Sequence, residues 1–122
     1  MIEKFLKELQ NEMELEAPFP KESPGTWSIG MDDNLKVILT ELTPEGFDLR
    51  CDVGPYPTKD EPEFLDQMLV SNLFGQGTEG AVLGVDEEKK KVVLVRDIQR
   101  DVDYQEFKDI LEDFLKIGRA HV

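Results

Sequence analysis

The chain has 122 residues, 39% of them hydrophobic, which leaves room for one domain and supplies enough apolar material to build its core. Its 27 acidic residues outnumber its 14 basic ones, for a net charge of −13. Nucleic-acid phosphates and anionic lipid headgroups are gripped mainly by Lys and Arg, so this balance argues against both as partners and suits a basic or apolar one.

Ile2, Phe5, Leu6, Leu9 and Met13 recur at helical spacing among Lys and Glu, predicting an amphipathic first helix that ends around Leu15. This opening lacks the continuous apolar stretch of a signal peptide. No stretch approaches the roughly 18 consecutive apolar residues of a membrane span, so a cytoplasmic protein is expected. Ala17 to Gly25 contains Pro18, Pro20 and Pro24 and reads as an irregular connection.

Three strands are expected next. Trp27, Ile29 and Met31 alternate with smaller or polar residues, Asp32-Asp33-Asn34 reads as a turn, and Leu35 to Leu42 is rich in strand formers. Thr43-Pro44-Glu45-Gly46 is a second turn. Phe47, Leu49, Cys51 and Val53 then face one way while Asp48, Arg50 and Asp52 face the other, the mark of a sheet with one packed and one wet face.

After the loop from Gly54 to Lys59, Asp60 and Glu63 form a capping-box pattern for a second helix that tolerates Pro62 in its first turn. That helix carries Phe64, Leu65, Met68, Leu69, Val70, Leu73 and Phe74, more apolar surface than one stripe against a sheet requires. A second subunit is the simplest cover for it. Gly75 to Gly80 breaks the helix, and Ala81 to Val85 pairs with Val92 to Ile98 as a hairpin around a charged turn. Asp103, partnered by Glu106, caps a third helix that buries Tyr104, Phe107, Ile110, Leu111, Phe114 and Leu115. The order helix, three strands, helix, two strands, helix predicts a single α+β domain over residues 1–116 with an antiparallel sheet. The remaining residues, Ile117 to Val122, match the in-frame translation of a common short-read sequencing adapter and read as a non-native tail.

The residue types that enzymes rely on are scarce. Cys51 is the one cysteine and lies on an apolar strand face, so it reads as a buried thiol, no intrachain disulfide can form, and a reducing compartment fits. His121, the one histidine, falls in the suspect tail, so neither a nucleophile–histidine arrangement nor a zinc site can be assembled. Gly75 to Gly80 matches G-x-G-x-x-G, but it follows a helix and opens a strand, the reverse of what pyrophosphate binding needs. Asp32-Asp33 and Asp86-Glu87-Glu88 read as solvated turns, and Asp101 and Asp103 as helix-start chemistry. No catalytic residue, metal or cofactor is expected.

Phe64 to Phe74, the block from Gly75 to Asp86 and the later Val92 to Arg96 and Asp103 to Phe107 together resemble the class I type III secretion chaperones of the CesT/SycE-like (Tir chaperone) family. The resemblance spans most of Met1 to Lys116 and departs from the family in the proline-rich Ala17 to Gly25. It implies a homodimer joined through the second helix and the following strand, with Phe64, Met68, Leu69, Leu73, Val82 and Leu83 as candidate seam residues. It also implies a partner, an extended segment near the amino terminus of a secreted effector. Phe5, Leu6, Leu9, Trp27 and Ile29 are the candidate groove residues for that segment, each with an equal standing as plain core. The alternative is a YbjN-like regulatory or interaction module of similar fold.

Overall fold

In the computed structural model the backbone is described for residues 1–32, 35–57, 59, 61–74 and 81–121, and the side chains of these except 31–32, 70–74 and 119–121. Helix α1 is Ile2–Glu12 and stops two to three residues sooner than periodicity suggests. Glu14 takes a left-handed conformation (φ 54), and the N–H groups of Glu14 and Leu15 turn back to the Asn11 and Gln10 carbonyls at 3.2 and 3.1 Å. Those two bonds form a Schellman closure, with a glutamate where glycine is usual.

Strands β1 (Lys21–Ser23), β2 (Thr26–Asp32), β3 (Leu35–Glu41) and β4 (Phe47–Pro55) precede helix α2 (Glu61–Phe74). The hairpin β5 (Val82–Asp86) and β6 (Lys91–Ile98) and helix α3 (Tyr104–His121) follow. The expected α+β fold is observed, with one addition: the proline-rich connection contains β1. Prolines at 18, 20 and 24 hid it, because they punctuate a chain more strongly than three exposed residues can signal a strand. The predicted turn at Asp33-Asn34, the cap at Asp60 and the glycine block 75–80 lie outside the described residues.

The strands form one antiparallel sheet in the order β1-β2-β3-β4-β6-β5. Register lines the apolar residues into rows: Ile29, Val37, Cys51, Leu94 and Leu83 run across five strands, with Trp27, Leu39 and Leu49 beside them. These residues are all buried and belong to the single core under α1 and α3. An aromatic layer pins the helices down. Phe107 of α3 lies 5.2 Å from Phe5 of α1 and 5.3 Å from Phe47 of β4, measured between ring centroids. Such a ring pair adds about 0.5–1.5 kcal/mol beyond the burial of its area.

Asp103 caps α3 as expected, its Oδ1 accepting the Glu106 N–H at 2.8 Å. Glu106 does not reach back to complete the box; its carboxylate pairs with Arg100 at 2.8 Å. The helix continues through Ile117, which is buried, and Gly118, where an added Cβ would stand 3.3 Å from Cys51 Sγ and from Leu35 Cδ1. Gly46 (φ 97) closes the β3–β4 turn so tightly that any Cβ there would overlap the Ile98 carbonyl oxygen.

The sheet's other face carries Thr26, Thr40, Asp48 and Asp97 in one row, so two carboxylates stand directly opposite each other on β4 and β6. Partial burial, then the Asp97 charge, raises the Asp48 pKa above its ordinary value. A carboxyl whose pKa is raised on folding binds its proton more readily in the folded state, so its ionisation costs stability as pH rises through that range. Asp48→Asn is therefore expected to stabilise the protein at pH 7 by about 0.2–1 kcal/mol, the usual worth of a cross-strand charge pair. The gain should vanish below the ordinary carboxylate range, as urea unfolding at pH 7 and pH 3 will show.

Candidate functional site

Helix α2 distributes its apolar residues around its circumference, with no single stripe. Packing against β5 and the core therefore satisfies only part of it. Met68 is buried in the core, and Phe64 is half-buried, meeting Tyr56 edge-on with centroids 6.0 Å apart. Leu65 and Leu69, one helical turn apart, stay 37% and 66% exposed, and Val82 at the start of β5 is 53% exposed. Leu83 turns the other way into the core, as the period of two along a strand demands. Of the seam candidates, then, Leu69 and Val82 are open, Phe64 is partly so, Met68 and Leu83 are covered, and the Leu73 side chain is outside the described residues. Leu65 was legible as the i−4 neighbour of Leu69 but was not among the candidates.

Beside this patch lies a cleft of about 700 Å³ between the start of α2 and the β5–β6 turn, lined by Tyr56, Leu65, Val85, Glu61, Glu87 and Lys90 among others. Its rim is held by local bonds. The Tyr56 hydroxyl donates to Glu61 Oε1 at 2.7 Å, and that carboxylate bond is the main reason its pKa is raised. In the charged turn, Asp86 accepts from the Lys89 N–H and from Arg50 at 2.6 Å, and both interactions hold its carboxyl below the ordinary value. Asp86 is thus a structural partner of the turn.

The five groove candidates occupy the other side of the core. Phe5, Leu6 and Leu9 on α1 are buried, and Phe5 meets α3 at Phe107 and at Tyr104, the latter with centroids 5.9 Å apart. Trp27 and Ile29 sit on β2, and both are covered: Ile29 is fully buried and Trp27 is 6% exposed. Lys21 of β1 places its ammonium over the Trp27 ring, 5.6 Å from the centroid. The structure brings the five together, as core, beneath α1 and the β1–β2 edge. Lys21 over the Trp27 ring and Phe19 against the core had no sequence signal beyond a proline-rich loop.

Cys51 is buried, and burial, with a smaller contribution from Asp52, pushes its thiol up to about 11. Among the described residues no His, Cys, Asp and Glu side chains group so as to hold a metal ion, and no helix is long and apolar enough to cross a membrane. What the arrangement offers chemically is apolar surface, two sheet edges and a strongly acidic surround.

The Tir chaperone protein (CesT) family model matches residues 4–117. A Chlamydia pneumoniae protein is 28% identical over 121 residues, covering 98% of this chain and 92% of that protein. Two solved structures have the same fold at low identity. A chain of the HopA1–SchA chaperone–effector complex superposes with a TM-score of 0.77 at 20% identity, covering 98% of this chain and 91% of that one. A chain of the Yersinia pestis type III secretion chaperone SycH in complex with a YscM2 fragment gives 0.73 at 16% identity, covering 100% of both.

With so high a pKa and only 2% of its surface exposed, Cys51 is expected to react with iodoacetamide at pH 8 at least about 100-fold more slowly in the native protein than in urea. Mass spectrometry of timed samples measures both rates.

Proposed function

The chain belongs to the Tir chaperone protein (CesT) family, and from that premise we propose that it works in the cytoplasm as a homodimeric type III secretion chaperone. It holds an extended segment near the amino terminus of a secreted effector in an export-competent state, with neither catalysis nor a cofactor. The observation that carries this reading is the family match across residues 4–117, joined to an exposed apolar patch that one acidic chain leaves uncovered.

The patch suits a two-fold seam. Leu65, Leu69 and Val82 lie on α2 and β5, which are in contact with each other, so one continuous surface can meet its own copy. Fully burying a Leu or Val side chain is worth about 1.5–3 kcal/mol, and each residue is buried twice in a symmetric dimer. The effector segment would take the opposite region, at the edge of β2, beneath which Phe5, Leu6, Leu9, Trp27 and Ile29 lie packed in the core. Main-chain bonds to a sheet edge give affinity there, and side-chain pockets give selectivity. The solved HopA1–SchA complex, a chaperone with its effector, supports a client of this kind.

Leu69→Asp should weaken the dimer by at least about 100-fold, because it places an unpaired charge in the seam. Since Leu69 is 66% exposed in the single chain, the fold itself should lose no more than about 0.5 kcal/mol. Sedimentation velocity across a dilution series, with circular dichroism as the control, reads both; an unchanged dimer would put the seam elsewhere. Capture of the tagged protein from its host, with the secretion apparatus expressed, should recover one dominant secreted protein bound through its amino-terminal region. Recovery of no secreted protein would reject the chaperone reading.

A further inference from the structure

The proline-rich segment Ala17 to Gly25 lies along the β2 edge of the sheet, where the client is expected. Its strand β1 is three residues long, all exposed, and its register with β2 is broken between Lys21 and Ser23. Lys21 is paired with Trp27. Continued backward in that register, Pro20 falls opposite Ser28, Phe19 opposite Ile29 and Pro18 opposite Gly30.

The first of these positions is visible in the hydrogen bonding. The Ser28 N–H donates to the Pro20 carbonyl at 2.8 Å. Pro20 has no N–H with which to return a bond to Ser28, and Pro18, the next position facing β2, has none either. In an antiparallel pair every second residue exchanges two bonds with its partner. Pro20 therefore accepts from β2, while neither position 18 nor position 20 has an N–H to donate to it. Between them, Phe19 is half-buried and packs on the core, and Lys21 covers Trp27. Phe19 and Lys21 thus occupy the side-chain positions that a bound strand would use over Ile29 and Trp27.

We propose that residues 18–23 are an internal placeholder, a strap that fills the client edge of β2 in the free protein and is displaced by the client's extended segment. The proposal rests on the chaperone reading and adds how its binding edge is kept. The incoming segment is an extended polypeptide with an apolar residue at the Phe19 position, an apolar or cationic one at the Lys21 position, and N–H donors where the strap has Pro18 and Pro20. It wins because it completes the ladder. The strap, for its part, shields Trp27 and the edge from a second copy of the chain, the hazard that every unpaired edge carries.

Two synthetic peptides test this on the full-length protein: residues 16–23 as they stand, and the same peptide with Pro18→Val and Pro20→Val. Trp27 is the one tryptophan, so its emission reports on the strap directly. The substituted peptide is expected to bind at least about tenfold more tightly than the native one and to change Trp27 emission as it does so. Equal binding of the two peptides, or none by either, overturns the proposal. In a second arm the protein itself carries Pro18→Val and Pro20→Val, which gives the strap its missing donors. This variant should remain folded and dimeric while its affinity for the substituted peptide, and for the effector segment recovered by capture, falls at least about tenfold. If the effector segment binds the variant unchanged, the prolines only guard the edge and the chaperone reading stands without the strap. If no effector is recovered, the chaperone reading fails, and the peptide comparison still decides whether the strap yields.

Discussion

Phe107 touches both of the elements that α3 must hold, Phe5 on α1 and Phe47 on the sheet, and it is fully buried. The architecture follows from that contact. A sheet of six strands can bury one face under two helices only if both helices are fixed to it and to each other, and this aromatic layer does both. Once α1 and α3 occupy the covered face, α2 is left at the β5 end with apolar residues on several sides. The same layer takes in Phe5, and the neighbouring Leu6 and Leu9 of α1 are buried in the same core.

A protein that must keep apolar surface available for partners needs another means of staying in solution, and its charge provides one. With a net charge of −13, copies of the chain repel one another at a distance, while a basic client is attracted. The charges are not uniformly free. Arg50 is committed to Asp86, Lys108 to Glu12 across α1 and α3, and Lys91 to Asp52 across the central strands. The exposed pairs among these contribute little stability singly. Their effect is to use up cations, which leaves the acids to dominate the surface.

Much of this could be read from residue order because the signals were periodic. The alternation from Phe47 to Val53 gave the covered face of the central strand, and the spacing of Phe107, Ile110, Leu111 and Phe114 gave the buried side of α3. The surplus on α2 was legible too, although its individual residues were not: Met68 and Leu69 are adjacent and equally apolar, and only the helix's docking onto β5 decides which is exposed. Periodicity says that a residue has an apolar side to hide, but not which element hides it. Trp27 pointed toward something apolar in either reading, and what lies over its ring is Lys21, in a segment whose prolines argued against any strand. The Glu106 side chain illustrates the same limit at short range, since a correctly placed capping residue was taken by Arg100 instead.

The strand order has one more consequence. β4 and β6 are direct neighbours at the heart of the sheet, yet α2 and β5 lie between them in the chain. The elements that carry the exposed patch are therefore an excursion, leaving the framework at Pro55 and rejoining it at Lys91, two residues paired across the ladder. Met68, Leu83 and the β5–β6 ladder hold this excursion to the core, so its freedom to vary lies in the residues it exposes, Leu65, Leu69 and Val82. Chains built this way can present different exposed surfaces at this end of the sheet on an unchanged scaffold.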